Sequence, residues 1–554
     1  MEIFLKYSLI LVLCFILGCK NKSAPDLASL DLIRGDLQLC GNGEFGDVSF
    51  SESCSYETKA TFNLAIALLH SFEYIEAEKA FVQVIDQDPE CAMAYWGVAM
   101  SIYHGLWAPP PNEILIKGSR LLNVAKKLSK STKAEQYLAA IGAFYEDWET
   151  VDNQTRKNRY AQKMKEMYQA NPDDTEIAVF YALALRASAV PTDKTYKIQR
   201  EAGKILEVLF EKEPNHPGIA HYIIHSYDYP ELAELGLQTA RRYAEIAPNS
   251  AHAQHMPSHI FTRLGLWEES IHTNIKSAAS AVCYAESTAP GSHWEGEVHA
   301  MGYLVYSYLQ IGDNTNAQEL YTYLKSFKEV FPVNLSIAYT ATAIPARIAM
   351  ENKNWEAAAT LELPKNLGLH WESFPWQKAN LHFTRAMGAI HTEDLKAAEI
   401  ELNTLRSFQE ALIALDEGYK ANKVRIQIKM AEAWLAFANG NEEEAISSME
   451  MAVAMEGKTS KHPVTPGEIV PADELLGDLY LALNKPIEAL TAYELNLKIH
   501  PNRFNGVYGA AVAAKQCGNQ KKATYYFKQL IEMTKNSNSD RPELEEALKF
   551  IQSS

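Results

Sequence analysis

Lys212-Glu213-Pro214-Asn215 and Ile246-Ala247-Pro248-Asn249 end two successive stretches on the same Pro-Asn turn, 34 residues apart. The same step returns near the end of the chain, where Ala489 and Ala523 are 34 apart, as are Asn484 and Gly518 in the turns before them. Between such turns, apolar residues recur at helical spacing, and alternating strand-type runs are scarce. Helical stretches are broken by short Gly, Asn, Asp or Pro turns. A fixed period of this length marks stacked supersecondary units rather than one large core.

The period and its landmark residues resemble those of the tetratricopeptide repeat (TPR), a helix pair with small residues where helices A and B meet and Pro at the close. Ala65, Ala77, Phe81 and Pro89 meet the pattern in 58–91. Gly477, Tyr480, Asn484, Ala489, Tyr493 and Pro501 meet it in 470–503, and Gly518, Ala523 and Phe527 in 504–537. Gly312 with Ala317, and Gly440 with Ala445, mark two further pairs. One pair cannot bury its apolar face, so neighbours stack. The expected fold class is all-α: a TPR-type α-solenoid, a right-handed superhelix of antiparallel helix pairs.

With 554 residues the chain exceeds what one core organises, and 47% hydrophobic with 22% charged residues excludes a disordered chain. A net charge of −17 without a long basic run argues against a nucleic-acid partner. Seven cysteines over this length do not make a disulfide-dense scaffold.

Residues 1–18 read as a signal peptide, with Lys6 in the n-region and an apolar core at 9–17 too short to span a bilayer. Ile16-Leu17-Gly18-Cys19 resembles a bacterial lipobox, although Leu17 is unusual at its position. Cleavage before Cys19 and its lipidation are therefore expected, placing the protein in the bacterial cell envelope, on the outer membrane or the periplasmic face. Residues 19–57 are expected to form a tether or N-terminal extension, polar and carrying Gly41, Gly43 and Gly46. The solenoid is assigned to 58–540, with insertions near 105–135, 285–297 and 458–471. A capping helix follows at 541–554.

The mature chain also resembles, over roughly 50–530, a widespread bacterial family of tetratricopeptide proteins without a defined biochemical role. The resemblance rests on Ala67-Leu68-Leu69-His70-Ser71-Phe72, Cys91-Ala92-Met93-Ala94-Tyr95-Trp96-Gly97 and His255-Met256-Pro257-Ser258-His259-Ile260-Phe261. The segments His462-Pro463-Val464-Thr465-Pro466-Gly467 and Pro501-Asn502-Arg503-Phe504 add to it. More distantly the layout is similar to a eukaryotic family of tetratricopeptide proteins. Neither resemblance supplies a catalytic residue.

Histidine placement is the informative feature. Nine of 16 histidines fall between 216 and 299. His221 and His225 form an i, i+4 pair, and so do His255 and His259, one repeat later. They occupy the fifth and ninth positions of helix A, and His252 and His299 occupy the second position of their repeats. Such positions face the concave groove, so His221, His225, His252, His255, His259 and His299 are the expected binding wall. An i, i+4 pair suits two imidazoles on one ion, and a neighbouring pair completes four nitrogens. His221, His225, His255 and His259 are therefore the candidate metal ligands, for zinc, copper, iron or nickel. The competing expectation is that these rings hydrogen-bond across repeats or hold a partner's carboxylate. Pro257 is expected to kink its helix and so to redirect His255. The pairs lack the Glu of a zincin, so peptide hydrolysis is not expected.

His70 and His104, at helix ends, read as capping or core residues, and Trp96, Tyr103 and Trp107 as packing. Glu442-Glu443-Glu444 complements a helix dipole. There is no phosphate-cradling Gly loop, Gly-x-Ser-x-Gly elbow or Cys-x-x-Cys pair. Cys54 and Cys91, near the same end of adjacent helices in an oxidising setting, are the expected disulfide, with Cys40–Cys54 as alternative. Cys283 and Cys517 are expected as free core residues.

Two function classes follow. One is an envelope-anchored scaffold holding a protein or peptide in the concave groove, attached to the membrane through its lipid and having no nucleic-acid partner. The other is a metal-binding or metal-dependent protein using the histidine cluster. A glycan-binding lipoprotein stands behind both, without motifs of its own.

Overall fold

The computed structural model describes residues 27–51, 54–462 and 467–553. Cys19, the signal peptide expected at 1–18 and the 463–466 segment lie outside these. The described chain is helical almost throughout and forms a TPR-type α-solenoid, from Lys59–His70 to the closing helix Pro542–Ser553. Helices alternate as A and B partners, each A packing on its own B and, along much of the array, on the next A. No helix among the described residues is long and apolar enough to cross a membrane.

Two compact units are present. The first comprises 27–37, 49–66 and 74–163 in its described part. Phe50 packs there against Phe62, Trp96 and Tyr137 at ring-centre distances of 5.3–5.5 Å. Cys54 and Cys91 are joined, with Cα atoms 5.4 Å apart. The second unit comprises 38–48, 67–73 and 164–553. It holds the histidine-rich repeats, whose A helices are Pro217–Tyr227, the broken pair Ala251–His255 and Pro257–Leu264, and Glu295–Gln310. Their B partners are Ala233–Ile246, Trp267–Thr288 and Asn314–Ser326.

Several sequence expectations change. Residues 27–51 are not a free tether. Leu30, Phe45 and Phe50 are buried, Arg34 pairs with Asp86 at 3.0 Å, and Cys40 is joined to Cys283. Cys283 is thus a disulfide partner rather than a free thiol, and Cys40 does not pair with Cys54. Gly46 serves tight approach: it has φ +86°, and a Cβ on it would meet Asn215 O at 2.8 Å, whereas Gly43 faces open space.

The insertion expected at 105–135 is mostly regular structure. Asn112–Leu128 is the B helix of the second pair, burying Leu115, Leu121, Leu122 and Ala125 against Ala92–Ser101. The loop proper is confined to the Pro-rich run before it. Near 285–297 the extra residues lengthen the B helix to Thr288 and then form a strand, His293–Trp294, pairing in parallel with Val330–Phe331.

The histidine wall does not face an open groove. Lys461, beyond the Glu442–Lys458 helix, contacts Asp228, and Trp267 Nε1 donates to Asn502 O at 2.7 Å. The Phe504–Gln516 helix packs on Glu295–Gln310. Later repeats of the same unit therefore border the wall: His221, His255 and His225 are only 0%, 3% and 8% exposed, and His252, His259 and His299 are half-buried.

Candidate metal centre

The six histidines form two groups of three: His221, His225 and His252, and His255, His259 and His299. Within each group one ligand-competent nitrogen per ring lies within 4.8 Å of the others. The four ligands expected from sequence do not gather as one set; they divide between the groups, and His252 and His299 complete them. The reason is repeat geometry. Each group takes the fifth and ninth positions of one helix A and the second position of the next, so the two groups are successive copies.

In the second group the outer nitrogens are held. His255 Nδ1 is 2.7 Å from Asn274 Oδ1, while the Asn274 amide donates to Ser270 O at 2.8 Å. That fixes Asn274 Oδ1 as the acceptor and His255 Nδ1 as the donor. His259 Nδ1 donates to Asp228 Oδ2 at 2.7 Å. With both Nδ1 protons committed, the neutral rings turn Nε2 lone pairs toward each other at 3.1 Å. Two nitrogens on one tetrahedral ion at about 2.0–2.1 Å from the metal stand at a similar separation. His299 Nδ1 is buried without a hydrogen-bond partner, and Tyr303 Oη lies 3.2 Å from His259 Nε2. A carboxylate behind a histidine is the arrangement that orients metal-ligating imidazoles.

The first group fixes the tautomer of one ring. His221 Nδ1 donates to His70 O at 2.6 Å, leaving Nε2 3.1 Å from His252 Nε2. His225 Nε2 is buried without a partner. Phe72, at φ +59° in the turn after Lys59–His70, lays its ring against His221, His225 and His252 at 4.3, 5.4 and 5.6 Å and excludes water.

Burial keeps these imidazoles neutral. It lowers the pKa of His221 to about 3 and of His299 to about 3, and lowers His225, His252 and His255 as well. For His259 burial outweighs the opposing Asp228 charge, and its pKa is lowered too. Burial would raise the Asp228 pKa, but Lys461, Arg263 and His259 hold it well below the usual carboxylate range. Neutral imidazole is the ligand form.

Pro257 breaks the helix-A hydrogen-bond ladder, yet Met256 keeps helical dihedrals (φ −54°, ψ −37°), so His255 and His259 stay on one face. Behind the first group lies a third set, His70, Glu176 and His216. His70 bonds Tyr222 Oη and Glu176 at 3.0 Å each, and His216 bonds Glu176 at 3.1 Å and caps Ile219 N. Both rings are fully engaged, so this set is frame rather than site. Asp228, Asn274, Phe72 and Tyr303 were not expected from sequence. Asp228, three residues after His225 in the turn closing its helix, is the one whose position carried a readable signal.

No protein-family model matches the chain, and no curated protein matches it. Among solved structures it is similar to the human IFIT1 dimer with m7Gppp-AAAA, at TM-score 0.36 and 12% identity over 84% of this chain and 94% of that one. The human IFIT1 dimer with PPP-AAAA gives 0.35 and 13% over 85% and 90%. The Cut9–Hcn1 hetero-tetramer of the APC/C gives 0.30 and 12% over 89% of this chain and 90% of that one.

Proposed function

We propose that this chain is a transition-metal-binding protein of the bacterial envelope, built on a TPR-type frame, with His255, His259 and His299 as ligands. One observation carries the reading: the facing Nε2 atoms of His255 and His259, each with its Nδ1 proton already donated. Two lone pairs at 3.1 Å repel, and a cation between them relieves this more directly than the Tyr303 hydroxyl, which reaches only His259 Nε2. A proton on His259 would also relieve the repulsion, but burial disfavours the charged ring. The all-nitrogen ligand set suits zinc or copper. A groove holding a peptide is less well supported, because the chain itself buries three of the six rings, His221, His225 and His255.

Export and anchoring through Cys19 belong to the same reading, which rests on the apolar stretch at 9–17 and the Ile16-Leu17-Gly18-Cys19 segment. Two disulfides support an oxidising compartment. The Cys19→Ala variant should leave the membrane fraction, and unchanged retention would defeat the anchor.

Metal analysis of protein purified without chelators tests the binding. At least one equivalent of metal per chain is expected, with the ion at the second group lost in His255→Ala/His259→Ala of unchanged circular dichroism. Folded wild-type protein devoid of stoichiometric metal, and unable to take up zinc or copper, would refute it.

A further inference from the structure

We infer that His221, His225 and His252 form a second metal site, one repeat before the first and of the same ligand class. The inference deepens the metal-binding reading and rests on it, but different residues carry it. His221 has its Nδ1 proton donated to His70 O at 2.6 Å, so its Nε2 is the free coordinating atom. That atom meets His252 Nε2 at 3.1 Å, the same separation as between His255 and His259. His225 supplies the third nitrogen, a buried Nε2 for which the protein provides no hydrogen-bond partner. A buried nitrogen without a partner is destabilising, and an ion bound by the three rings would give the His225 nitrogen one.

The repeat itself is the second argument. Fifth, ninth and second positions of consecutive A helices produce both groups, with the 3.1 Å nitrogen contact joining fifth to second in the earlier group and fifth to ninth in the later one. The second-layer partners differ: a backbone carbonyl stands behind His221, and Asp228 and Asn274 stand behind the later group. Neither group includes a carboxylate, so both are neutral shells for a late transition ion.

The two sites are close. Ring centres of His252 and His255 are 6.4 Å apart, and those of His225 and His259 are 6.5 Å apart. Ions separated by about 8 Å, the scale of packed helices, repel through an effective dielectric of about 20. Even for monovalent ions that weakens the second by roughly 30-fold, and more for divalent ones.

The full chain, stripped with a chelator and confirmed folded by circular dichroism, is titrated with copper(I) and separately with zinc(II) against a chromophoric competitor. Two equivalents are expected, the second at least about 30-fold weaker. His252→Ala should bind one equivalent, and so should His299→Ala. His252 is half-buried, and His252→Gln serves as the size-preserving replacement where the alanine variant does not fold. Saturation of wild type at one equivalent, lost in His299→Ala and kept in His252→Ala, would overturn the second site and leave the first standing. Absence of any bound ion would overturn both.

Discussion

Asp228 bonds His259 Nδ1 through one carboxylate oxygen at 2.7 Å and Arg263 through the other at 2.9 Å, with Lys461 also against it. A single buried anion therefore orients a candidate ligand and neutralises two cations from distant parts of the same unit. Asp228→Asn keeps the shape and removes the charge. Metal affinity at the second group should fall about 10–100-fold, as for other carboxylates behind ligating histidines. Uncompensated Arg263 and Lys461 should lower stability by roughly 3–5 kcal/mol. Chelator competition and urea denaturation measure the two effects separately; unchanged affinity would show that Asp228 does not position His259.

Gly218 sits at the second position of the same helix A that carries His221 and His225. A Cβ there would lie 2.6 Å from His70 Nδ1. The missing side chain is what lets the His70 ring reach Tyr222 and Glu176, and lets its carbonyl hold His221. Gly218→Ala should destabilise by about 1–3 kcal/mol through overpacking. Metal uptake at His221, His225 and His252 should weaken, while uptake at the later group should stay unchanged. Equal losses at both groups would mean that His70 does not act through His221.

The helix-pair frame and the clustering of histidines were legible because both follow from a period visible in one sequence. The grouping was not. His221, His225, His255 and His259 stand out as two identical i, i+4 pairs, and symmetry invites joining pair to pair. The actual grouping joins each pair to the second position of the next helix A, and His299 is displaced from that register by the extra residues after Thr288. Burial was also invisible, since Lys461 reaches Asp228 across 233 residues. Of the tether or N-terminal extension expected at 19–57, the described part from residue 27 is a packed extension, and its burial at Leu30, Phe45 and Phe50 had no periodic signal to announce it.

Acid sensitivity follows from buried neutral rings away from the candidate centre. Burial lowers His104 to about 4, His391 to about 4 and His500 to about 3. Their unfolded-state pKa is about 6.5, so below that value the unfolded chain binds more protons than the folded one. Stability is then fully present above pH about 6.5 and drains away as pH falls toward the folded values, each ring removing up to about 1.4 kcal/mol per pH unit. Urea midpoints of the chelated protein should fall between pH 7 and pH 5. Midpoints that stay level would show that these rings already carry protons in the folded state.

Oxidation state provides the last test. Cys54–Cys91 spans 37 residues and Cys40–Cys283 spans 243, leaving Cys517 as the free thiol among the described residues. Closing the shorter loop is worth roughly 4 kcal/mol in the chain-entropy model, and the longer loop is worth somewhat more. The longer bridge also ties the 38–48 segment, with Asp47 N donating to Asn215 O at 3.1 Å, beside the first histidine-bearing repeat. Cys40→Ser/Cys283→Ser should therefore release 38–48 to protease sooner than it unfolds the array. Cys54→Ser/Cys91→Ser should instead loosen the first unit and leave metal uptake in the second unchanged. A peptide map of the non-reduced, exported protein should show both bridges and alkylation at Cys517 alone among these five cysteines. Alkylation at Cys40 or Cys283 would break the link between the N-terminal segment and the histidine repeats.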